Sequence, residues 1–190
     1  MRKVILFMHM SLDGFVAGPN GEMDWIAVDD EIFAEAIALQ PSADTALFGG
    51  TLYQEMAGYW PTVPGNPQSS PSDLEHAKWL NNSHKVVLST TLERADWENT
   101  RVVRGHIAEE IAALKAQPGK HLMLFGGATM AQTFMRLGLI DEYRLNVNPV
   151  ILGGGKSLFG SLKDSLRLKR VSSKAYSNGV VGLVYAAEGK

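Results

Sequence analysis

Short continuous runs of apolar residues alternate along this chain with segments in which apolar residues recur at helical spacing. Uninterrupted apolar runs are typical of strands that are covered on both faces, and we expect such strands at 4–10, 45–48, 85–89 and from 121 onward. Helical spacing predicts helices at 29–39, from 52 onward, around 107–114 and after 127. A capping box at 72–75 that begins with Ser72 predicts one more helix, which runs through Leu80.

The C-terminal part differs, because strands follow one another there without helices. We expect a long strand at 142–151 and a hairpin with arms at 167–176 and 180–186, joined by the turn former Asn178-Gly179. Segments rich in Gly, Pro, Asn and Ser predict loops at 11–21, 61–71 and 153–157. The whole pattern predicts one α/β domain over residues 1–190, with a mostly parallel central sheet, flanking helices and antiparallel C-terminal strands.

The composition of the chain excludes several classes of protein. With 190 residues, 45% of them hydrophobic and 20% charged, the chain suits a globular domain with a substantial core. A net charge of −2 and a pI near 6.2 argue against nucleic-acid binding. The lack of cysteine excludes disulfides, thiolate metal sites and cysteine nucleophiles. The first apolar run is too short for a signal peptide and no run reaches membrane-spanning length, so we expect a cytoplasmic protein without a membrane partner.

The strongest candidate for a binding site is the segment 121–138, where an apolar strand ends in Gly126-Gly127 and a helix follows. Met130, Phe134 and Leu137 form one apolar stripe of that helix. A helix that begins directly after glycines presents unpaired N–H groups and the positive end of its dipole, an arrangement that binds anions such as phosphate. The alternative is an ordinary tight turn, which the same glycines would also form.

Two other expected strands are also followed by small or hydroxyl-bearing residues, Gly49-Gly50-Thr51 and Ser89-Thr90. In an open α/β sheet, ligands bind beyond the carboxyl ends of the strands. These ends, together with Gly126-Gly127, therefore predict a groove for an elongated ligand that carries phosphate. Turn formation is again the alternative for each strand end taken singly.

Other motifs are incomplete. The glycine-rich run 153–157 lacks the first glycine of a P-loop because Val150 stands there, and Leu158 stands at the last glycine position of a dinucleotide fingerprint. No HExxH, GxSxG or paired-ligand spacing occurs, so we expect neither a metal site nor a catalytic serine. The histidines, which we expect at the surface or at strand ends, are His9, His76, His84, His106 and His121.

Several motifs together resemble a known family. They are Ser11-Leu-Asp-Gly14, Met23-Asp-Trp25, Leu47-Phe-Gly-Gly-Thr-Leu-Tyr53, Val87-Leu-Ser-Thr90, Leu124-Phe-Gly-Gly-Ala-Thr129 and Asn148-Pro-Val-Ile-Leu-Gly-Gly-Gly155. Over residues 3–187 the chain resembles the dihydrofolate reductase-like superfamily and, within it, the reductase domain of bacterial riboflavin biosynthesis, the RibD C-terminal domain. The resemblance implies a three-layer fold around a large central sheet, NADPH as hydride donor, a small-molecule substrate and a homodimer.

The resemblance also implies roles for individual residues. The cofactor-binding positions that it implies are Gly49, Thr51, Ser89, Thr90, Gly126, Gly127, Ala128, Thr129 and Met130. Gly126 and Gly127 match a pair that the family often joins through a cis peptide. The loop 11–24, with Asp13 and the adjoining Trp25, matches a loop that closes over the nicotinamide. Asp30, with Asp29 as an equally placed neighbour, matches a carboxylate that orients the substrate or relays a proton.

One position departs from the family pattern. The family has an arginine where this chain has Gly50, and that arginine pairs with the 2′-phosphate of NADPH. NADH therefore stays open as a hydride donor, unless Arg94 or Arg104 replaces the arginine. The function we expect is NAD(P)H-dependent reduction of a small heterocycle, most like the reduction of 5-amino-6-(5-phosphoribosylamino)uracil in riboflavin biosynthesis. The alternatives are pterin reduction of the dihydrofolate reductase type and a nucleotide-binding protein that keeps the fold without catalysis.

Overall fold

The computed structural model of the protein describes residues 1–27, 29–160 and 162–188. The strands are β1 Val4–Ser11, β2 Phe15–Ala17, β3 Ala43–Gly49, β4 His84–Leu88, β5 Thr100–Val103, β6 His121–Leu124, β7 Glu142–Asn148, β8 Lys156–Ser157, β9 Leu168–Ala175 and β10 Val181–Ala187. The helices are α1 Asp30–Leu39, α2 Gly50–Tyr59, α3 Pro71–Asn82, α4 Ile107–Ala116 and α5 Ala128–Arg136, with 3₁₀ helices at Gln40–Ser42 and Trp60–Gly65.

The arrangement of the strands confirms the predicted α/β class. In the described part of the chain, eight strands form a sheet in the order β5-β4-β3-β6-β1-β7-β10-β9, and β2 pairs with β8 in a small second sheet. The pairs β5/β4, β4/β3, β3/β6 and β1/β7 are each parallel, in agreement with the predicted mostly parallel sheet. The C-terminal strand β10 is antiparallel to both β7 and β9, as the expected hairpin requires. Within the described residues, no helix combines the length and apolarity needed to cross a membrane.

By internal packing the chain divides into two compact units. The first unit is Met1–Arg2 with Ile32–Gly126, and the second is Lys3–Glu31 with Gly127–Lys190. The single domain over residues 1–190 stays a prediction.

The first unit contains the parallel strands β5, β4, β3 and β6. Apolar runs fill β3 because both faces of this strand are covered, and Ala46, Leu47 and Phe48 are completely buried. The ring of Phe48 stacks on that of Phe125 with centroids 5.5 Å apart, and it lies 6.3 Å from the ring of Tyr53 in α2. These ring contacts hold the carboxyl ends of β3 and β6 against the first turn of α2.

The second unit contains β1, β7, β10 and β9 in that order. Register partners in neighbouring strands project from the same face of a sheet. The partners Leu6 and Tyr143 lie on one face, where both are buried. The partners His9 and Asn146 lie on the opposite face, which is therefore unusually polar for a strand interior.

The structure corrects the predicted start of α3. The N-cap residue is Ser70 and not Ser72: the Ser70 hydroxyl accepts from the Asp73 N–H at 3.0 Å, and the Asp73 carboxylate accepts from the Ser70 N–H at 3.2 Å. Pro71 occupies the first helical position, where its fixed φ suits a helix and its missing N–H leaves no bond unmade. The helix also continues beyond the predicted Leu80 to Asn82.

Further corrections concern short or terminal segments. Leu137 does not belong to the buried stripe of α5, because it lies at the C-cap and is 44% exposed. The buried residues of α5 are Met130, Ala131, Phe134 and Met135. The strand β5 was not predicted, β7 ends before the predicted residue 151, and three segments expected as loops contain β2, β8 and the 3₁₀ helix Trp60–Gly65.

Candidate functional site

The start of α5 is open and uncapped. Gly127 is its N-cap residue, with extended backbone (φ −66°, ψ 176°) and no side chain to close the helix end. The N–H groups of Met130 and Ala131 both donate to the Gly127 carbonyl, at 3.1 Å. The two N–H groups that come before them, those of Ala128 and Thr129, have no acceptor within the helix. A Cβ built on Gly127 would meet no described atom within 4 Å. This exposed helix start is able to receive an anion.

The peptide between the two glycines differs from the family expectation. No cis peptide bond occurs among the described residues, so the bond that joins Gly126 and Gly127 is trans, and the expected cis peptide is wrong for this structure. Gly126 is buried at the end of β6 in the first unit, whereas Gly127 is exposed and begins the second unit's helix.

A second helix start without a cap lies in the first unit, where α2 follows β3. Its N-cap residue is Gly49, again extended (φ −81°, ψ 159°) and without a capping side chain. Gly50 lies so close to Ser89 that a Cβ at this position would come within 2.7 Å of the Ser89 Oγ. That hydroxyl is itself fixed, because it accepts from the N–H of Leu92 at 3.0 Å and from the N–H of Thr91 at 3.3 Å. Gly50 is therefore explained by this close approach between two strand ends.

The neighbouring order of β4, β3 and β6 brings several predicted residues to one edge of the first unit's sheet. All three strands are parallel, so their carboxyl ends lie at the same edge. Thr51 and Thr90 are exposed there, and Ser89 is half-buried. The ends of β4, β3 and β6, which share small or hydroxyl-bearing residues, therefore lie side by side.

The charges in the first turns distinguish α2 and α5 from the other helices. The first turns of α2 and α5 contain no acidic residue. The first turns of α1, α3 and α4 contain Asp30 and Glu31, Asp73, and Glu109 and Glu110, respectively. An acidic side chain neutralises the positive end of a helix dipole, so the two helices that lack one keep that end available for an external anion.

The two arginines proposed to replace the missing family arginine both have partners. The Arg94 Nε lies 2.7 Å from the Asp96 carboxylate, and both side chains are largely exposed. The Arg104 guanidinium donates to the Glu93 carbonyl at 3.3 Å. Exposed partners of this kind bind weakly, so either arginine can exchange its partner for a phosphate.

In the second unit, Asp13 ties two loops together. Its carboxylate accepts from the Ser11 hydroxyl at 2.7 Å, from the Gly153 N–H at 2.8 Å and from the Leu152 N–H at 3.1 Å. The Ser11 hydroxyl, followed by the two N–H groups, lowers the pKa of Asp13 below its usual range. The carboxylate therefore positions the turn at 152–153.

The glycine-rich run after this turn packs against the short strand β2. Gly155 has a φ of +130°, and a Cβ there would clash with the Ala17 carbonyl oxygen. Close backbone approach explains this glycine without a P-loop. Trp25 follows β2 in the chain and is half-buried. Its Nε1 donates to the Glu22 carbonyl at 3.1 Å.

The candidate carboxylates lie at the start of α1. Asp30 is the first residue of the helix and is exposed, and Asp29 is half-buried. Two contacts hold this segment on the second unit's sheet: the Ala27 N–H donates to the Asn148 side-chain oxygen at 2.9 Å, and Glu31 pairs with Lys174 at 2.9 Å.

His9 is a polar residue of the same sheet face, although we expect it from the sequence at the surface or at a strand end. It lies within β1 instead, and its Nδ1 is buried without a hydrogen-bond partner among the described residues. The signal that could have found it is its position in the apolar run 4–10, where a polar residue interrupts the pattern.

With this geometry in place, comparison with known proteins identifies the family. The model of the RibD C-terminal domain matches residues 2–182, and the chain therefore belongs to the RibD C-terminal domain family. The chain is 37% identical over 184 residues to the uncharacterized protein YyaP of Bacillus subtilis (strain 168), which covers 97% of this chain and 94% of that protein.

Solved structures share the fold. A protein from Shewanella sp. PV-4 that is named for riboflavin biosynthesis superposes with a TM-score of 0.77 at 25% identity, over 98% of this chain and 99% of that one. The Thermotoga maritima diaminohydroxyphosphoribosylaminopyrimidine deaminase/5-amino-6-(5-phosphoribosylamino)uracil reductase gives 0.68 at 16% identity, over 98% of this chain and 56% of that one. Enterococcus faecalis dihydrofolate reductase, complexed with NADP(H), gives a TM-score of 0.63 at 14% identity, over 98% of this chain and 97% of that one. The fold is thus dihydrofolate reductase-like, and the family is a reductase-type family.

Proposed function

We propose that this protein is an NAD(P)H-dependent reductase of a small heterocyclic substrate, and that the start of α5 binds a phosphate of the cofactor. The start of α2, taken by itself, has the same phosphate-binding character. The observation that carries this proposal is the contrast between helix starts. Helices α2 and α5 both have a glycine as N-cap residue and contain no acid in the first turn, whereas the first turns of α1, α3 and α4 are acidic. Membership of the RibD C-terminal domain family supports the same function.

The residues present fit a dinucleotide. The amides of Ala128 and Thr129 suit a phosphate that approaches the open position at Gly127. In the first unit, Thr51 and Thr90 are exposed beside the strand ends, and hydroxyl side chains of this kind suit a polar group of a nucleotide. When bound, NADPH supplies the hydride that reduces the substrate. The protein's own contribution is to hold the cofactor and substrate in a reactive orientation, a major source of rate in such reactions.

For the substrate we propose 5-amino-6-(5-phosphoribosylamino)uracil, the molecule named for the reductase of Thermotoga maritima. We expect the purified protein to oxidise NADPH in the presence of this compound, with dihydrofolate as the poorer substrate. Steady-state kinetics followed by the loss of NADPH absorbance measure both. A preference for dihydrofolate would favour the pterin alternative. Tight NADPH binding without turnover of either compound would favour a nucleotide-binding protein, and no binding of NADPH or NADH would contradict the proposal altogether.

We also propose a homodimer that pairs through the C-terminal strands. The edge strand β9 is exposed over nearly its whole length, and its apolar side chain Val171 is 62% exposed. An uncovered edge strand invites pairing with another chain. Light scattering after size-exclusion chromatography should give twice the mass of one chain, and a monomer at micromolar concentration would contradict the dimer.

A further inference from the structure

A row of register partners crosses the polar face of the second unit's sheet. His9 in β1 pairs with Asn146 in β7, Asn146 pairs with Gly182 in β10, and Gly182 pairs with Lys174 in β9. Register partners share a face, and the contacts agree: a Cβ at Gly182 would lie 3.3 Å from the Asn146 side-chain oxygen. We call these four residues the polar row.

His9 occupies an unusual hydrogen-bonding position in the polar row. Its ring packs edge-on against Phe7, with centroids 5.7 Å apart. Among the described residues, its Nδ1 is the one side-chain nitrogen or oxygen that is shut off from solvent without a partner, and Nε2 is not shut off in this way. Because an orphaned buried N–H is rarer in proteins than an under-satisfied acceptor, the proton of the neutral ring belongs on Nε2. The ring thus presents a donor, Nε2–H.

Burial keeps this ring neutral. Desolvation lowers the pKa of His9 to about 4. A protonated ring would also carry an N–H at Nδ1, where no described group accepts it. The charge at the other end of the polar row is compensated, because the Lys174 ammonium pairs with Glu31 at 2.9 Å. At neutral pH the polar row therefore offers His9 as a neutral donor and not as a cation.

The chain segment that carries the two candidate carboxylates crosses this face. Its first contact is the Ala27 N–H with the side chain of Asn148, which shares a face with Asn146 two residues earlier. Its last contact is the pair of Glu31 with Lys174. The two aspartates lie between these contacts along the chain, on the same side of the sheet as the polar row.

We propose that His9 is a substrate-binding residue that donates from Nε2–H to a carbonyl oxygen of the substrate heterocycle. Asp30 or Asp29 accepts from the ring N–H next to that carbonyl. A neutral donor and a carboxylate acceptor together recognise a lactam edge, in which C=O and N–H are adjacent. A lactam of this kind is present in both substrates considered above, the aminouracil and the pterin. This inference rests on the proposed function, because it concerns the substrate of the same enzyme.

Three variants of one residue test the assignment. The side-chain amide nitrogen of Gln reaches the place of the imidazole Nε2, whereas that of Asn reaches the place of Nδ1. We expect His9→Gln to retain affinity near wild type, and His9→Asn and His9→Leu to lose about tenfold, the effect of one hydrogen bond. The probes are 5-amino-6-(5-phosphoribosylamino)uracil and dihydrofolate, titrated calorimetrically without cofactor. His9→Leu should be at least as heat-stable as wild type, because it removes a buried unpaired nitrogen.

The outcomes separate this inference from the proposed function. Equal probe affinity in all variants would overturn the inference, and so would an equal loss in all three, since that pattern indicates packing alone. Failure of the wild-type protein to bind either probe would overturn it as well. NADPH affinity is measured separately. Suppose that the protein does not bind NADPH, while His9→Gln binds a probe like wild type and His9→Asn and His9→Leu bind it about tenfold more weakly. The proposed reductase function is then wrong, and the lactam site stands. Nitrogen NMR of histidine-labelled protein should show a protonated Nε2 and an unprotonated Nδ1 for His9, and the reverse tautomer would contradict the assignment.

Discussion

Replacing Gly127 by valine should abolish NADPH binding and leave the protein folded. The reason is that a Cβ at Gly127 meets no described atom within 4 Å, and the residue has an extended φ of −66° that valine tolerates. The side chain would therefore enter open space at the helix start, and we expect it to hinder a phosphate that approaches the Ala128 and Thr129 amides. Two charge-assisted hydrogen bonds to a phosphate contribute about 3 kcal/mol or more, so we expect affinity to fall at least about a hundredfold.

Two comparisons make this result specific to the helix start. Gly65→Val is the matched control, because Gly65 also has open space around its Cβ and lies in a 3₁₀ helix outside the strand ends. It should keep wild-type NADPH affinity. Gly127→Ala, with a smaller side chain, should fall between wild type and Gly127→Val. A folded Gly127→Val protein with unchanged NADPH affinity would remove α5 from the cofactor site.

The fold was accessible from the sequence because its main strands are buried on both faces. An uninterrupted apolar run of strand length, such as that at 4–10, is typical of a buried strand, and Asn178-Gly179 specifies its hairpin locally. The strand β5 was not predicted because it has only four residues, Thr100–Val103, and its polar Arg101 interrupts the apolar run. The start of α3 was misplaced because both Ser70 and Ser72 precede an acid by three residues, and Pro71 favours the first of them.

The candidate site was accessible only in part. Residue types at strand ends were sufficient to group Thr51, Ser89 and Thr90, because parallel strands bring like ends to one edge. The reason for Gly50 was not accessible, since it depends on the Ser89 hydroxyl at the end of the neighbouring strand, which a Cβ at Gly50 would approach to 2.7 Å. The polar environment of His9 was hidden for a related reason. Register decides which side chains share a face, and register is a tertiary property.

Cofactor preference is the second large effect that we expect to measure. With Gly50 in place of the family arginine, the wild-type protein should prefer NADPH over NADH only modestly. Restoring the arginine by Gly50→Arg alone brings its Cβ against Ser89, which must then give up its bonds to Leu92 and Thr91. We therefore expect Gly50→Arg to lower thermal stability. Gly50→Ala, which adds the Cβ without the guanidinium, should lower it similarly.

The gain in affinity should appear when the contact is relieved. In the double variant Gly50→Arg/Ser89→Gly, the guanidinium is free to pair with the 2′-phosphate, a charge-assisted bond of about 1.5–3 kcal/mol. Relative to Ser89→Gly alone, NADPH affinity should rise about tenfold to a hundredfold, and NADH affinity should stay unchanged. Titrations with both nucleotides measure the difference. If the wild-type protein already prefers NADPH about a thousandfold (more than one such bond supplies), another group holds the phosphate. Arg94→Gln and Arg104→Gln would then show which arginine has exchanged its partner.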